Sequence, residues 1–282
     1  MSFLSRISAH RHAQPLTDEQ LQKLAPSIFA EAKHESRSDR YTYIPTIEVV
    51  RGLRSEGFFP VMARQGNSRI PGKADYTKHL IRFRHMDHGP MYENLGDLYP
   101  EVALVNSHDG TSAYKIIAAM MRLACLNGMV VQDARLAEIS VPHKGTVTDK
   151  VIEGSYTVLD ESRKALEIAG EWSGKTLTDQ QQKGFAEAVH IAKYGDDAER
   201  MPFTPESYLR TRRAPDQGAD LWRVANRVQE SAIRGGMTGF RWDEDGRNRK
   251  RVTARPVKSI DGDIKLNKAV WHLAQMLADH AA

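Results

Sequence analysis

Two groups of residues in this sequence have the types and spacing to do chemistry. The first is a histidine and carboxylate group: His85, Asp87 and His88, with His108 and Asp109 closing a later apolar stretch. Imidazole and carboxylate are the ligands zinc and manganese prefer. On a strand, however, His85 and Asp87 point to one side and His88 to the other, so only a loop would make them converge. Neither HExxH nor a two-carboxylate-plus-lysine pattern is present. A metal-dependent nuclease or nucleic-acid modifier using His85, Asp87, His88 and His108 is therefore the alternative reading, and the leading one expects no metal and no cofactor. Ser107, His108 and Asp109 are consecutive, and consecutive side chains cannot build a catalytic triad, which needs groups converging from separated positions. No nucleophile elbow or phosphate-binding glycine loop occurs. Gly235-Gly236-Met237-Thr238-Gly239 is followed by Arg and aromatic residues, and reads as a joint.

The second group is basic. Arg64, Arg69, Lys78, Arg82 and Arg84 fall on two stretches that read as neighbouring strands, and Lys115 and Arg122 on the element that closes them. Arg210, Arg212 and Arg213 come later. Then Arg247, Arg249, Lys250 and Arg251 crowd a predicted turn beside Phe240 and Trp242. Cations next to aromatic rings suit phosphate contacts combined with base stacking.

The charge is unevenly spread. The whole chain of 282 residues carries +4, with a pI of about 9.1. Residues 1–100 carry +3, 101–209 carry −5, 210–258 carry +7 and 259–282 carry −1. A late segment thus holds most of the positive charge, which permits a nucleic-acid partner. Cys125 is the only cysteine, so intrachain disulfides and cysteine-cluster metal sites are excluded. No apolar run is long enough to span a bilayer and no signal peptide is visible, so the expectation is a cytoplasmic protein without a membrane partner.

The positioning elements follow from periodicity. Thr17 and Gln20 form a capping-box pattern ahead of Leu21, Leu24 and Ile28, which predicts a helix over 17–34. A second helix is expected over 44–57, with Thr46 as its N-cap and Gly57 at its end. Strands are expected over 58–69, 77–87 and 99–109. In 77–87 the alternation of His79, Ile81, Phe83 and His85 with Leu80, Arg82, Arg84 and Met86 predicts one covered and one open face. The stretch 112–128, rich in Ile116, Ile117, Met120 and Leu123, reads as a long buried helix capped by Thr111 or Ser112. One or two short strands follow, then helices over 147–171, 178–194, 218–233 and 263–280. Residues 239–257 read as an exposed hairpin or basic loop turning at Asp245-Gly246. The expected class is α+β: a helix, an antiparallel β-β-β-α core over 41–147, and a mainly helical lobe over 148–282, preceded by an N-terminal arm and helix over 1–40.

Several short runs resemble the phage/plasmid-like protein family of bacterial mobile elements. They are Ile44-Pro45-Thr46, Glu56-Gly57-Phe58, Lys78 to Arg84, Leu104 to Ser112, Cys125 to Met129, and Leu266-Asn267 with Trp271. That family name carries no chemistry. Over 44–128 the expected order of elements is also similar to that of ring-forming single-strand annealing recombinases of the Red-beta, RecT and Rad type, including the Gly57-Phe58-Phe59 junction. This resemblance implies binding and annealing of single-stranded DNA without covalent catalysis. It implies a ring or helical homo-oligomer holding the annealed duplex, with an exonuclease or single-strand-binding protein as partner. Arg64, Lys78, Arg82, Arg84, Lys115 and Arg122 would line its groove. A rival of another class is a protein-binding antagonist of host defence.

Overall fold

A computed structural model describes residues 15–31, 44–68, 70, 72–87, 98–122, 127–130, 138–142, 146–243, 245 and 247–280. The architecture is α+β and divides into two units, one up to Leu166 and one from Glu167 onward.

The first unit is built on an antiparallel sheet. Helix α1 (Asp18–Leu24) starts with the expected capping box, Thr17 and Gln20 satisfying each other's backbone N–H. A 3-10 turn at Pro26–Phe29 follows it. Helix α2 (Thr46–Ser55) runs into Gly57, whose φ of +83° ends it as expected. Thr46 does not cap it: the N-cap is Pro45, and the Thr46 hydroxyl is used elsewhere. Strands β1 (Phe58–Gln65), β2 (His79–His85), β3 (Leu98–Asn106) and β4 (Tyr114–Arg122) pair in sequence order. Two short strands, β5 (Asn127–Val130) and β6 (Ile139–Val141), both pair with β4.

The helix expected over 112–128 is therefore a correction: Tyr114–Arg122 is a strand. Ile116 to Met121 is buried throughout, and a strand covered on both faces reads as a continuous apolar run, which periodicity cannot separate from a buried helix. Pairing decides it, because β3 lies on one edge of β4 and β5 and β6 on the other. Thr111 and Ser112 likewise cap no helix. Their N–H groups close a turn on Asp109 Oδ1 and Ser107 Oγ. The long helix comes later, as α3 (Val147–Ser173), whose residues up to Leu166 belong to this unit. Ser162 anchors it, donating to the Glu101 carbonyl at 2.9 Å and accepting from the Ala119 N–H at 3.3 Å. The expected open face of β2 is a second correction: of its seven residues only Arg84 is more than marginally exposed.

The second unit is mainly helical. The end of α3 brings Trp172 against Trp222 and Trp271, an aromatic cluster with each ring 1 % exposed or less. Helix α4 (Asp179–Tyr194) carries a capping box at Thr178 and Gln181. Helix α5 (Leu221–Arg234) is capped by Asp220, and α6 (Ile260–His280) closes the unit. Between them stands the two-stranded ribbon β7 (Thr238–Trp242) and β8 (Arg249–Thr253), where a hairpin was expected. Among the described residues no helix is long and apolar enough to cross a membrane.

Candidate nucleic-acid interface

The ribbon pairs Thr238 with Thr253, Phe240 with Arg251 and Trp242 with Arg249. Directly opposed residues of an antiparallel pair share a face, and side chains alternate along each strand. Thr238, Phe240, Trp242, Arg249 and Arg251 thus line one face, and Gly239, Arg241, Lys250 and Val252 the other. Gly239 settles which face is outward. A Cβ there would fall 1.3 Å from the Pro202 carbonyl oxygen, so only glycine permits this approach of the ribbon to the body of the unit. The face of Phe240 and Trp242 is left to solvent, with 49 % and 60 % of these rings exposed. The Arg249 guanidinium lies 3.7 Å from the Phe240 ring centre, a cation–π contact that keeps a charge beside an open aromatic surface. Arg251 is exposed on the same face and Arg247 at the tip, while Lys250 is exposed on the opposite face. The tip is ordered by Asp243, which accepts from the N–H groups of Arg247 and Asn248.

At the foot of the ribbon is a cleft of about 590 Å³, lined by Ser207, Arg210, Thr211, Arg212, Gly236, Met237 and Thr238. The 3-10 turn Pro205–Leu209 and the chain leading from α5 to β7 form its walls. Arg212 Nη2 donates to the Gly235 carbonyl, holding the guanidinium beside Gly236. Below it Glu230, 2 % exposed, pairs with Arg213 at 2.8 Å and Arg234 at 3.1 Å. Desolvation lowers the Arg212 pKa, and Arg234, Arg210 and Arg213 add to that against the opposing pull of Glu230.

The basic residues of the sheet are placed differently. Arg82 is 5 % exposed, its Nε 2.6 Å from Glu101 Oε2 and its Nη2 donating to the Met120 carbonyl at 2.6 Å. Arg84 donates to Glu101 Oε1 at 2.7 Å and stacks over the Tyr99 ring at 4.2 Å. Glu101 itself is 1 % exposed. The space between Val61, Met62, Arg82, Arg84, Glu101 and Met121 is about 10 Å³, room for a water at most. This face is a packed ion cluster and offers no groove. Lys115 pairs with Glu138 at 2.8 Å, and Arg64 and Lys78 are half-buried. Arg69 and the side chain of Arg122 lie outside the described residues.

The histidines are not brought together. His108 lies 5.5 Å, ring to ring, from His79 at the start of β2. His85 ends that strand, about 20 Å further at the usual rise per residue. It sits against Phe58, with its Nε2 3.1 Å from the Glu56 carbonyl oxygen, while Asp87 is exposed beside it. His88 lies outside the described residues. Among the described residues no group of three or more metal-ligating side chains is formed.

The sequence reading missed a buried network and the carboxylate that organises the sheet arginines. Thr46 Oγ1 lies 3.0 Å from His79 Nε2 and 3.0 Å from His108 Nε2, and accepts from Asn106 Nδ2 at 3.0 Å. Ser27 Oγ is 2.9 Å from His79 Nδ1. Thr46, His79, Asn106 and His108 are fully buried, and that burial pushes the His79 pKa down to about 3, with the nearby His108 adding to the shift. These groups cross-link α2 to β2 and β3. The available signal for Glu101 was a lone carboxylate in an apolar strand, expected to face a strand bearing two arginines.

Fold and site together define an α+β protein whose sheet pairs Arg82 and Arg84 with a buried Glu101 and whose second unit displays Arg249 and Arg251 on an exposed aromatic ribbon. The chain belongs to the family described as a domain of unknown function (DUF932), whose model matches residues 33–271. It is 41 % identical over 269 residues to UPF0380 protein YafZ of Escherichia coli (strain K12), covering 95 % of this chain and 93 % of that one. UPF0380 protein YfjQ of the same organism matches to the same extent. No solved structure matches.

Proposed function

We propose that the protein binds single-stranded DNA without covalent catalysis, through the β7–β8 ribbon. The observation that carries this reading is the shared outward face of Phe240, Trp242, Arg249 and Arg251. Bases stack on open aromatic rings regardless of sequence, and arginines beside them neutralise the phosphates and release counterions. Annealing by a ring or helical assembly is the extension of this reading. Of the element order that suggested it, α2 and the antiparallel strands β1 to β3 are present, while the closing element over 112–128 is strand β4 in place of a helix. Arg82 and Arg84 are left out of this surface, being engaged with Glu101.

Trp242 makes the test direct. The other three tryptophans are 1 % exposed or less, so contact quenching of intrinsic fluorescence by an oligo-dT strand reports on Trp242. The expected result is saturable quenching that weakens steeply with salt and disappears in Trp242→Phe. A complementary-strand assay on the same samples reads annealing. No binding of single strands at low salt removes this reading.

A further inference from the structure

The arginine cleft and the ribbon are one continuous surface. Thr238 lines the cleft and also begins the face that carries Phe240 and Trp242. A strand stacked along that face and continuing past Thr238 enters the cleft. The chemistry changes at that point. The ribbon presents rings and cations in the open, suited to bases and to singly charged phosphodiesters. The cleft is concave, and it holds a surplus of positive charge. Arg210 and Arg212 line it, and next to them Arg213 and Arg234 pair with the carboxylate of Glu230. Glu230 is in direct contact with Arg213 and Arg234 and acts on Arg212 only through space, so a single carboxylate stands against this group of arginines. The hydroxyls of Thr211 and Thr238 add to the polar lining, while the Ser207 hydroxyl donates to the Thr204 carbonyl at 2.6 Å. A volume of about 590 Å³ is of the size that takes a small ligand such as a nucleotide.

We infer that this cleft is a subsite for a terminal phosphate monoester, so that the protein grips the phosphorylated end of a nucleic-acid strand as well as its interior. A monoester carries close to two negative charges at neutral pH and three terminal oxygens, which two guanidinium forks and several hydroxyls match better than they match a diester. The inference rests on the proposed binding of single strands, but its chemistry can be tested apart from it.

The full chain is titrated with three oligo-dT strands of one length: 5′-phosphorylated, 3′-phosphorylated and unphosphorylated. The expected result is about tenfold or tighter binding of one phosphorylated form, as charge-assisted hydrogen bonds give. That preference is lost in Arg212→Ala and reduced in Arg210→Ala, with the affinity for the unphosphorylated strand little changed. Arg210→Ala guards against a folding defect, since Arg212 also holds the Gly235 carbonyl. Trp242→Ala weakens all three strands alike and leaves the ratio intact. Equal affinities for the three strands, or a preference that survives both arginine substitutions, overturns the inference. If no strand binds, thermal shift with thymidine 5′-monophosphate against thymidine still decides. Stabilisation by the monophosphate alone, lost in Arg212→Ala, upholds the cleft as a phosphate monoester site; no stabilisation refutes it.

Discussion

Arg84 and Arg249 are both strand residues that place a guanidinium over an aromatic ring, at 4.2 Å from Tyr99 and 3.7 Å from Phe240. Their roles are opposite. In the sheet unit a buried carboxylate, Glu101, pairs with two arginines and ties β2 to β3. Among the described residues no carboxylate forms an ion pair with Arg249 or Arg251, and both arginines are exposed. The position of one glutamate separates an arginine that stabilises from an arginine that can recognise. A count of basic residues per strand cannot make that distinction.

The comparison can be broken most severely at Glu101. Glu101→Ala leaves Arg82 buried without its carboxylate, and unpairing one member of a buried ion cluster costs about 3–5 kcal/mol. Thermal or urea unfolding should show that loss, with oligo-dT affinity unchanged under conditions where the variant stays folded. An arginine that were really a phosphate ligand would give the reverse pattern.

Acid comes next. His79 has a folded pKa of about 3 against 6.5 unfolded. Between those values the unfolded chain holds a proton that the folded chain rejects, so stability is full above about pH 6.5 and falls as pH drops toward 3. The loss is about 1.4 kcal/mol per pH unit, readable as a pH-dependent urea midpoint. His79→Asn should flatten that slope while lowering stability at neutral pH, since the Ser27 and Thr46 contacts are cut.

On the ribbon the effects should appear in binding alone. Trp242→Ala is expected to weaken oligo-dT binding by about 1–3 kcal/mol while moving unfolding stability by no more than about 0.5 kcal/mol, because the ring is solvent-exposed. The smallest effect is Arg251→Ala. It should reduce the slope of log affinity against log salt by about 0.7, the share of one phosphate contact on a single strand, with stability untouched.

Much of the fold was legible in the chain. The capping box at Thr17 forms, Gly57 ends its helix, and the aromatic-basic run after Thr238 folds as a hairpin. The misreading of Tyr114–Arg122 has a definite cause. A central strand enclosed on both faces has no polar phase to reveal its period, and Ala118, Ala119, Met120 and Met121 are not β-branched. Of the candidate site, Arg247, Arg249, Lys250 and Arg251 stand on the exposed ribbon as read. Arg82 and Arg84 were assigned to an open face because alternation shows which residues share a side, not what covers it.

By itself the sequence determined the local devices and the distribution of charge. It placed the +7 segment, set Phe240 and Trp242 within it, and excluded intrachain disulfides with its single cysteine. These depend on neighbours along the chain or on composition alone. Only the tertiary structure decided that β4 is a strand, since its partners β3, β5 and β6 are supplied by other segments. The same holds for Glu101 meeting Arg82 and Arg84, and for Gly239 lying on the Pro202 carbonyl so that the rings face outward. Those outcomes turn on pairings between residues distant in sequence, where burial and the nearest opposite charge settle what each side chain does.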